Sequence, residues 1–219
     1  MNVFDIVGPV MIGPSSSHTA GAARIGKTAA LLLGEPVAKA DILFHGSFAK
    51  TYKGHGTDKA IVGGILKYDP WDPEIRTSLE TAQLQGICVD IHTGTIENAH
   101  PNTALVTLTG SGGTTISVQG ASIGGGNIII TKINDMEVYF TGQNTTLIVM
   151  HQDVPGIIAQ VTNLVAAGNA NICNFRLNRQ EKGGIAIMTI EMDSDVDPSL
   201  VSEIRLLPHV YNTILLKLG

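Results

Sequence analysis

Ser15, Ser16, Ser17, His18 and Thr19 place four hydroxyls and an imidazole in five consecutive residues near the start of the chain. They follow Gly13-Pro14 and precede the small-residue run 20–33, which reads as a helix. Pro14 discourages helix before it, and a serine at 15–17 can act as N-cap. The free backbone N–H groups and the positive end of the helix dipole then suit a small anion such as a carboxylate. A well-capped helix with no ligand would carry the same residues. A second polar cluster shifts the balance: His45-Gly46-Ser47-Phe48-Ala49-Lys50-Thr51, followed by Gly54-His55-Gly56-Thr57-Asp58-Lys59. An imidazole titrates near neutrality, so His55 is suited to proton transfer. Its two flanking glycines are expected to bend the backbone sharply and leave the ring uncrowded. A solvent-exposed loop histidine is the plainer alternative.

These runs need elements to hold them. Residues 37–44 alternate as a strand with Ala38, Ala40, Ile42 and Phe44 on one face, so the second cluster begins where a strand ends. That is a frequent place for sites in α/β proteins. Helical stretches are expected around 3–7, 19–33, 57–67 and 73–85, and strands at about 87–91, 103–109, 114–119, 126–133 and 136–140. The mixed order predicts an α+β layer fold for residues 1–142. From Gln143 the pattern changes to strand 147–150, the turn Asp153-Val154-Pro155-Gly156, helix 157–167, strands 172–178 and 185–192, helix 198–206 and strand 210–218. This βαββαβ order is the ferredoxin-like split motif. With its Asp153–Gly156 turn, the segment 143–219 resembles an ACT domain.

The segments GPSSSHTAGAARIG and HGSFAKTYKGHGTDKAIVGG resemble the beta chain of the two-chain, iron–sulfur type of bacterial L-serine dehydratase. The resemblance continues through IHTGTIENAHPNTALV and covers essentially the whole chain. It implies an α+β substrate-binding domain followed by the ACT domain, and a β-elimination in which serine loses water and the enamine hydrolyses to pyruvate and ammonia. It makes His55, within GHGTD, the catalytic candidate. Ser15, Ser16, Ser17, His18 and Thr19 become the substrate-positioning set, with Lys50 and Asp58 orienting the site, although Lys50 is equally well a solvated loop charge. It also implies an alpha-chain partner, a 4Fe–4S cluster and a cytoplasmic setting. ACT-like units have open edge strands that pair, so self-association is expected. Asp153, Gly156, Asn169 and Asn171 would then line any effector pocket. The N-terminal part also resembles the substrate-binding regulatory domain of some phosphoglycerate dehydrogenases, which would make the chain a serine-sensing module without chemistry.

Composition limits these readings. The net charge of -5 and the lack of a basic stripe argue against nucleic acid. Charged residues make up 15%, against about 25% in an average globular chain, which fits either a surface covered by another chain or a Gly- and Thr-rich β protein. No signal peptide is expected, since Asp5 and Gly8-Pro9 interrupt the apolar start. The uncharged stretch 98–131 is broken by glycines and reads as strands, not as a membrane helix. Cys88 and Cys173, the only cysteines, read as inert core positions on strands. A four-iron cluster normally takes three or four thiolates, so any cluster must sit on a different polypeptide. No metal site is expected in this chain, because His45, His92, His100 and His151 match no zinc or non-haem-iron spacing. A pyridoxal enzyme would need a Schiff-base lysine, and no lysine here carries a recognisable cofactor motif. A Ser–His nucleophile pair among Ser15–His18 is not expected: residues so close in sequence seldom form one, and there is no nucleophile elbow.

Overall fold

The computed structural model describes residues 15–217. The stretch expected to be helical around 3–7, the residues Gly13 and Pro14, and the last two positions lie outside them. Two compact units divide the chain, 1–135 and 136–219. The sequence reading placed the change near Gln143, so the strand at 136–140 falls in the second unit.

In the first unit, strand β1 (Val37–His45) buries Ala40, Ile42 and Phe44 completely on one face. Ala38 was expected beside them but is exposed, because the pairing register shifts between Val37 and Lys39. Strand β2 (Cys88–Gly94) runs parallel to β1. Strands β3 (Thr103–Gly110), β4 (Thr115–Gly124) and β5 (Asn127–Ile133) follow as an antiparallel meander from the other side of β1. Within this unit the strand order is β2-β1-β3-β4-β5, and β6 (Met136–Phe140) begins the second unit.

One face of this sheet carries the helices. A five-residue π turn, Ser17–Gly21, leads into α1 (Ala22–Leu33). Helix α2 (Gly46–His55) follows β1 directly, and α3 (Thr57–Ile65) follows α2. A 3₁₀ turn at Pro73–Thr77 and helix α4 (Ser78–Leu84) lead back to β2. Helices α1 and α3 meet backbone to backbone. A Cβ on Gly26 would strike the Ile61 carbonyl oxygen, and one on Gly64 would strike that of Ala23. Beneath them Gly120 of β4 leaves room for Ile25, whose Cγ1 would lie 2.9 Å from an added Cβ. The seam is thus closed by small residues, which bury helix backbone tightly against backbone and sheet.

The segment 46–55 departs from the expected loop. Gly46 adopts a left-handed φ of 59° and packs against the Pro101 backbone, while the Ser47 N–H donates to the Pro101 carbonyl at 2.7 Å. The strand therefore turns straight into a helix. Gly56, at φ 68°, ends α2 and begins α3. Only glycine reaches such angles without steric cost, and here it links two helices without a loop.

The second unit is β7 (Thr145–Gln152), α5 (Ile157–Ala167), β8 (Ile172–Arg179), β9 (Ile185–Met192), α6 (Ser199–Arg205) and β10 (Val210–Leu216), preceded by β6. Its sheet has the order β10-β7-β9-β8, antiparallel throughout. This is the βαββαβ fold expected from the pattern. Leu147, Val149, Met188 and Ile190 of the sheet bury against Ile157, Val161 and Val165 of α5 and Leu200 and Ile204 of α6.

Both cysteines are exposed, which corrects the expected core placement. Each stands on an edge strand, Cys88 on β2 and Cys173 on β8. An apolar run on an edge strand is not sufficient for burial when no layer covers it. Among the described residues no helix is long and apolar enough to cross a membrane.

Candidate active site

The two polar runs meet at His18. His18 is buried, 7% exposed, on the π turn that precedes α1. The Ser15 Oγ lies 3.1 Å from His18 Nδ1, and the His18 backbone N–H points to the same oxygen at 3.4 Å. On the other side of the ring, Thr51 Oγ1 is 3.0 Å from Nε2 and Ser47 Oγ is 3.5 Å away. Phe48 packs edge-on against the imidazole at 5.1 Å between centroids. The His55 ring stands at 85° to that of His18, with centroids 4.6 Å apart. Helix α2 thus presents Ser47, Phe48, Thr51 and His55 to His18, four residues spaced at helical intervals along one face.

Ser15 and His18 are thus hydrogen-bonded neighbours, although no nucleophile elbow accompanies them. They are one helical turn apart, which brings their side chains to the same side. His55 is also less open than its flanking glycines suggested. It is the last residue of α2, half-buried, with its Nδ1 buried and without a partner. Burial lowers the pKa of His18 below 6.5, and the nearby His55 lowers it further. His18 is accordingly harder to charge than a free imidazole.

The remaining positions divide. Thr19 is buried with its hydroxyl unpartnered, and so are Thr57 and Ser122. Gly21 comes up against the Ser122 side chain, so Ser122 of β4 also borders the π turn. Ser16 and Ser17 are half-buried. Ser16 stands at the N-cap position of the turn with helical backbone angles and no side-chain cap bond. The capping bond, to His18 N–H, comes from Ser15 instead. Lys50 is exposed. Asp58 is half-buried; desolvation raises its pKa, offset in part by the Lys59 N–H that it accepts at 2.8 Å. Ser47, Thr51, Thr57 and Ser122 had not been singled out. A helical reading of 46–55 would have exposed the spacing of Ser47, Thr51 and His55, but the polar, glycine-bounded segment reads as a loop.

The other histidines are engaged elsewhere. His45 Nδ1 accepts from the Ile96 N–H at 3.1 Å, and His100 Nδ1 from the Asn102 N–H at 3.1 Å, as a turn residue does. His92 pairs with Asp41 at 3.3 Å. His151 is fully buried, with Nδ1 2.7 Å from the Gln152 carbonyl. Among the described residues no three His, Cys, Asp or Glu side chains gather as a metal site. Cys88 and Cys173 lie on strands of different sheets, and the chain has no third thiol. The residues of this chain do not fit an iron–sulfur cluster.

In the second unit the four effector candidates separate into two pairs. Asp153 bonds Arg179 at 2.7 Å and the Gly183 N–H at 3.1 Å, and these contacts lower its pKa. Gly156 begins α5 beside it. Asn171 donates to Asp193 at 2.6 Å, and Asn169 takes a left-handed turn after α5. Pairing of Gln152 with Ile185 and of Thr145 with Met192 puts the two pairs at opposite ends of the strands, roughly 25 Å apart. One unit alone does not bring them together.

Comparison with known proteins follows the same division. Residues 2–87 match the model of the family described as serine dehydratase beta chain, and residues 145–208 match that of the ACT domain. The probable L-serine dehydratase beta chain of Bacillus subtilis (strain 168) is 44% identical, covering 95% of this chain and 94% of its own. The L-serine dehydratase beta chain of Peptoniphilus asaccharolyticus is 37% identical, covering 93% and 92%. A D-3-phosphoglycerate dehydrogenase of Bacillus subtilis is 27% identical over 90% of this chain but only 37% of its own length.

Proposed function

The chain belongs to the serine dehydratase beta-chain family, and we propose that it binds L-serine and supplies proton-transfer groups for β-elimination in a site completed by an alpha chain. The observation that carries this reading is the His18–His55 pair, which joins the two motif-bearing runs in one partly buried place. Elimination requires loss of the Cα proton and of the β-hydroxyl; the resulting aminoacrylate then hydrolyses to pyruvate and ammonia. His55 is the proton-transfer group of this chain. Its Nδ1 has no other partner, and a neutral His18 beside it adds no charge of its own. The hydroxyls of Ser15–Ser17 and Thr19 surround the start of the π turn, where a small polar substrate meets several hydrogen-bonding groups. The 4Fe–4S cluster belongs on the alpha chain, because this chain lacks the thiolates to hold one.

A second reading has its own support. The partial likeness to a D-3-phosphoglycerate dehydrogenase fits a serine-sensing module without chemistry. The two readings separate on the partner: an enzyme subunit forms pyruvate together with a cysteine-rich alpha chain, whereas a sensor binds serine alone and alters some other enzyme. In the chain reconstituted with a cysteine-rich alpha chain, His55→Ala should lower pyruvate formation from serine by about 10²–10⁴-fold, with assembly intact. His55→Gln should fail nearly as badly. Full activity in His55→Ala would assign the base to the alpha chain and leave this chain a binding role.

A further inference from the structure

Thr51 has one hydroxyl proton, and its geometry shows where that proton goes. Its Oγ1 lies 2.8 Å from the Ser47 carbonyl, a helical back-bond in which the hydroxyl must donate. The same oxygen is 3.0 Å from His18 Nε2 and has only lone pairs left to offer. Nε2 therefore carries the ring proton, and in the neutral ring that burial favours Nδ1 carries a lone pair. Ser15 Oγ, 3.1 Å from Nδ1, must then be the donor. The Ser15 proton is spent on His18, while its oxygen already accepts weakly from the His18 N–H at 3.4 Å. What remains of Ser15 is a lone pair and no donor.

From this we propose that Thr51 is a positioning residue that locks His18 as its Nε2–H tautomer, and that Ser15 consequently meets the substrate as an acceptor for its ammonium group. Ser15 thereby leaves the carboxylate to Ser16, Ser17 and the backbone N–H groups. The chain of dependence runs from the helix α2 carbonyl through Thr51, His18 and Ser15 to the ligand. The assignment of substrate polarity rests on the serine reading above; the tautomer does not.

Two measurements keep these parts distinct. In the full chain labelled with ¹⁵N-histidine, His18 should show an Nε2–H tautomer. Thr51→Ser should preserve it, and Thr51→Val should lose it, since valine keeps the shape without the acceptor. An Nδ1–H tautomer in the parent, or an unchanged Nε2–H tautomer in Thr51→Val, overturns the Thr51 assignment. In the reconstituted enzyme, inhibition by 3-hydroxypropionate, which is serine without its amino group, is compared with KM for serine. Ser15→Ala should weaken serine about ten- to a hundredfold, the scale of a lost bond to a charged group, and leave 3-hydroxypropionate within a few fold. Equal weakening of both compounds would place Ser15 on the carboxylate and overturn the polarity. If the reconstituted enzyme does not use serine at all, the functional reading and the polarity assignment fall together, and the tautomer stands or falls on the spectrum.

Discussion

Protonating His18 is harder in the folded chain than in the unfolded one, because burial and the neighbouring His55 both oppose its charge. The unfolded chain then binds more protons below the ordinary value of 6.5, so the contribution of neutral His18 to stability is fully present above that pH. It is lost as pH falls from about 6.5 toward the lower folded-state value. Denaturant midpoints measured between pH 8 and pH 5 should decline more in the parent than in His18→Gln. Equal slopes would show that His18 charges freely in the fold. The hydroxyls around it make a separate prediction. Replacing Ser15, Ser16 and Ser17 together by Ala should weaken serine use at least ten- to a hundredfold, whereas loss of a cap alone costs about 1 kcal/mol of stability and leaves kinetics untouched. Steady-state kinetics and thermal melts on the same variant separate the two outcomes. At this scale the sequence already marked Ser15, His18 and His55, since hydroxyl and imidazole runs are unusual enough to stand out. Thr51 stayed hidden because its importance depends on a hydrogen bond across to another element, and no local pattern encodes that.

Helices α1 and α3 meet where glycine alone fits, and that contact makes the positioning of the π turn vulnerable. Gly26→Ala gains about 1 kcal/mol of helix propensity but drives a methyl into the Ile61 carbonyl, so the net effect should be a loss of about 1–3 kcal/mol. Gly64→Ala should behave likewise against Ala23. Gly54→Ala is the contrast: nothing lies within 4 Å of its added Cβ, and helix α2 should gain about 0.5–1 kcal/mol. Thermal melts of the three variants test the ranking; a stabilised Gly26→Ala would mean the helices separate at little cost. Strands and helices with clear periodicity, such as 37–45 and the whole βαββαβ pattern, were legible from residue spacing. The 46–55 helix was not, because Gly46 and Gly56 look like loop punctuation when they serve as left-handed hinges at its ends. Cys88 and Cys173 misled for a related reason: flanking apolar residues report strand character, while exposure depends on whether the strand is at a sheet edge.

Taken whole, the chain carries a site-bearing unit and an ACT-type unit, each with its own core. Residues 136–219, expressed alone, should fold and self-associate. Strands β8 and β10 are open edges of its sheet, and Ile158, Phe175 and Ile185 remain exposed. The fragment should include 136–140, since Arg176 covers the Tyr139 ring at 4.5 Å and Glu191 accepts from the Thr141 N–H. A strictly monomeric fragment at high concentration in sedimentation would remove self-association from the account. It would also leave Asp153 and Asn171 without a way to share one ligand. The most direct measurement of the central claim is anaerobic purification of this chain alone and with a cysteine-rich alpha chain, followed by iron analysis and pyruvate formation from L-serine. The account predicts no cluster iron and no pyruvate from this chain alone, and both from the pair. Stoichiometric cluster iron in this chain alone, or a pair that carries its cluster and leaves serine unchanged, would contradict it.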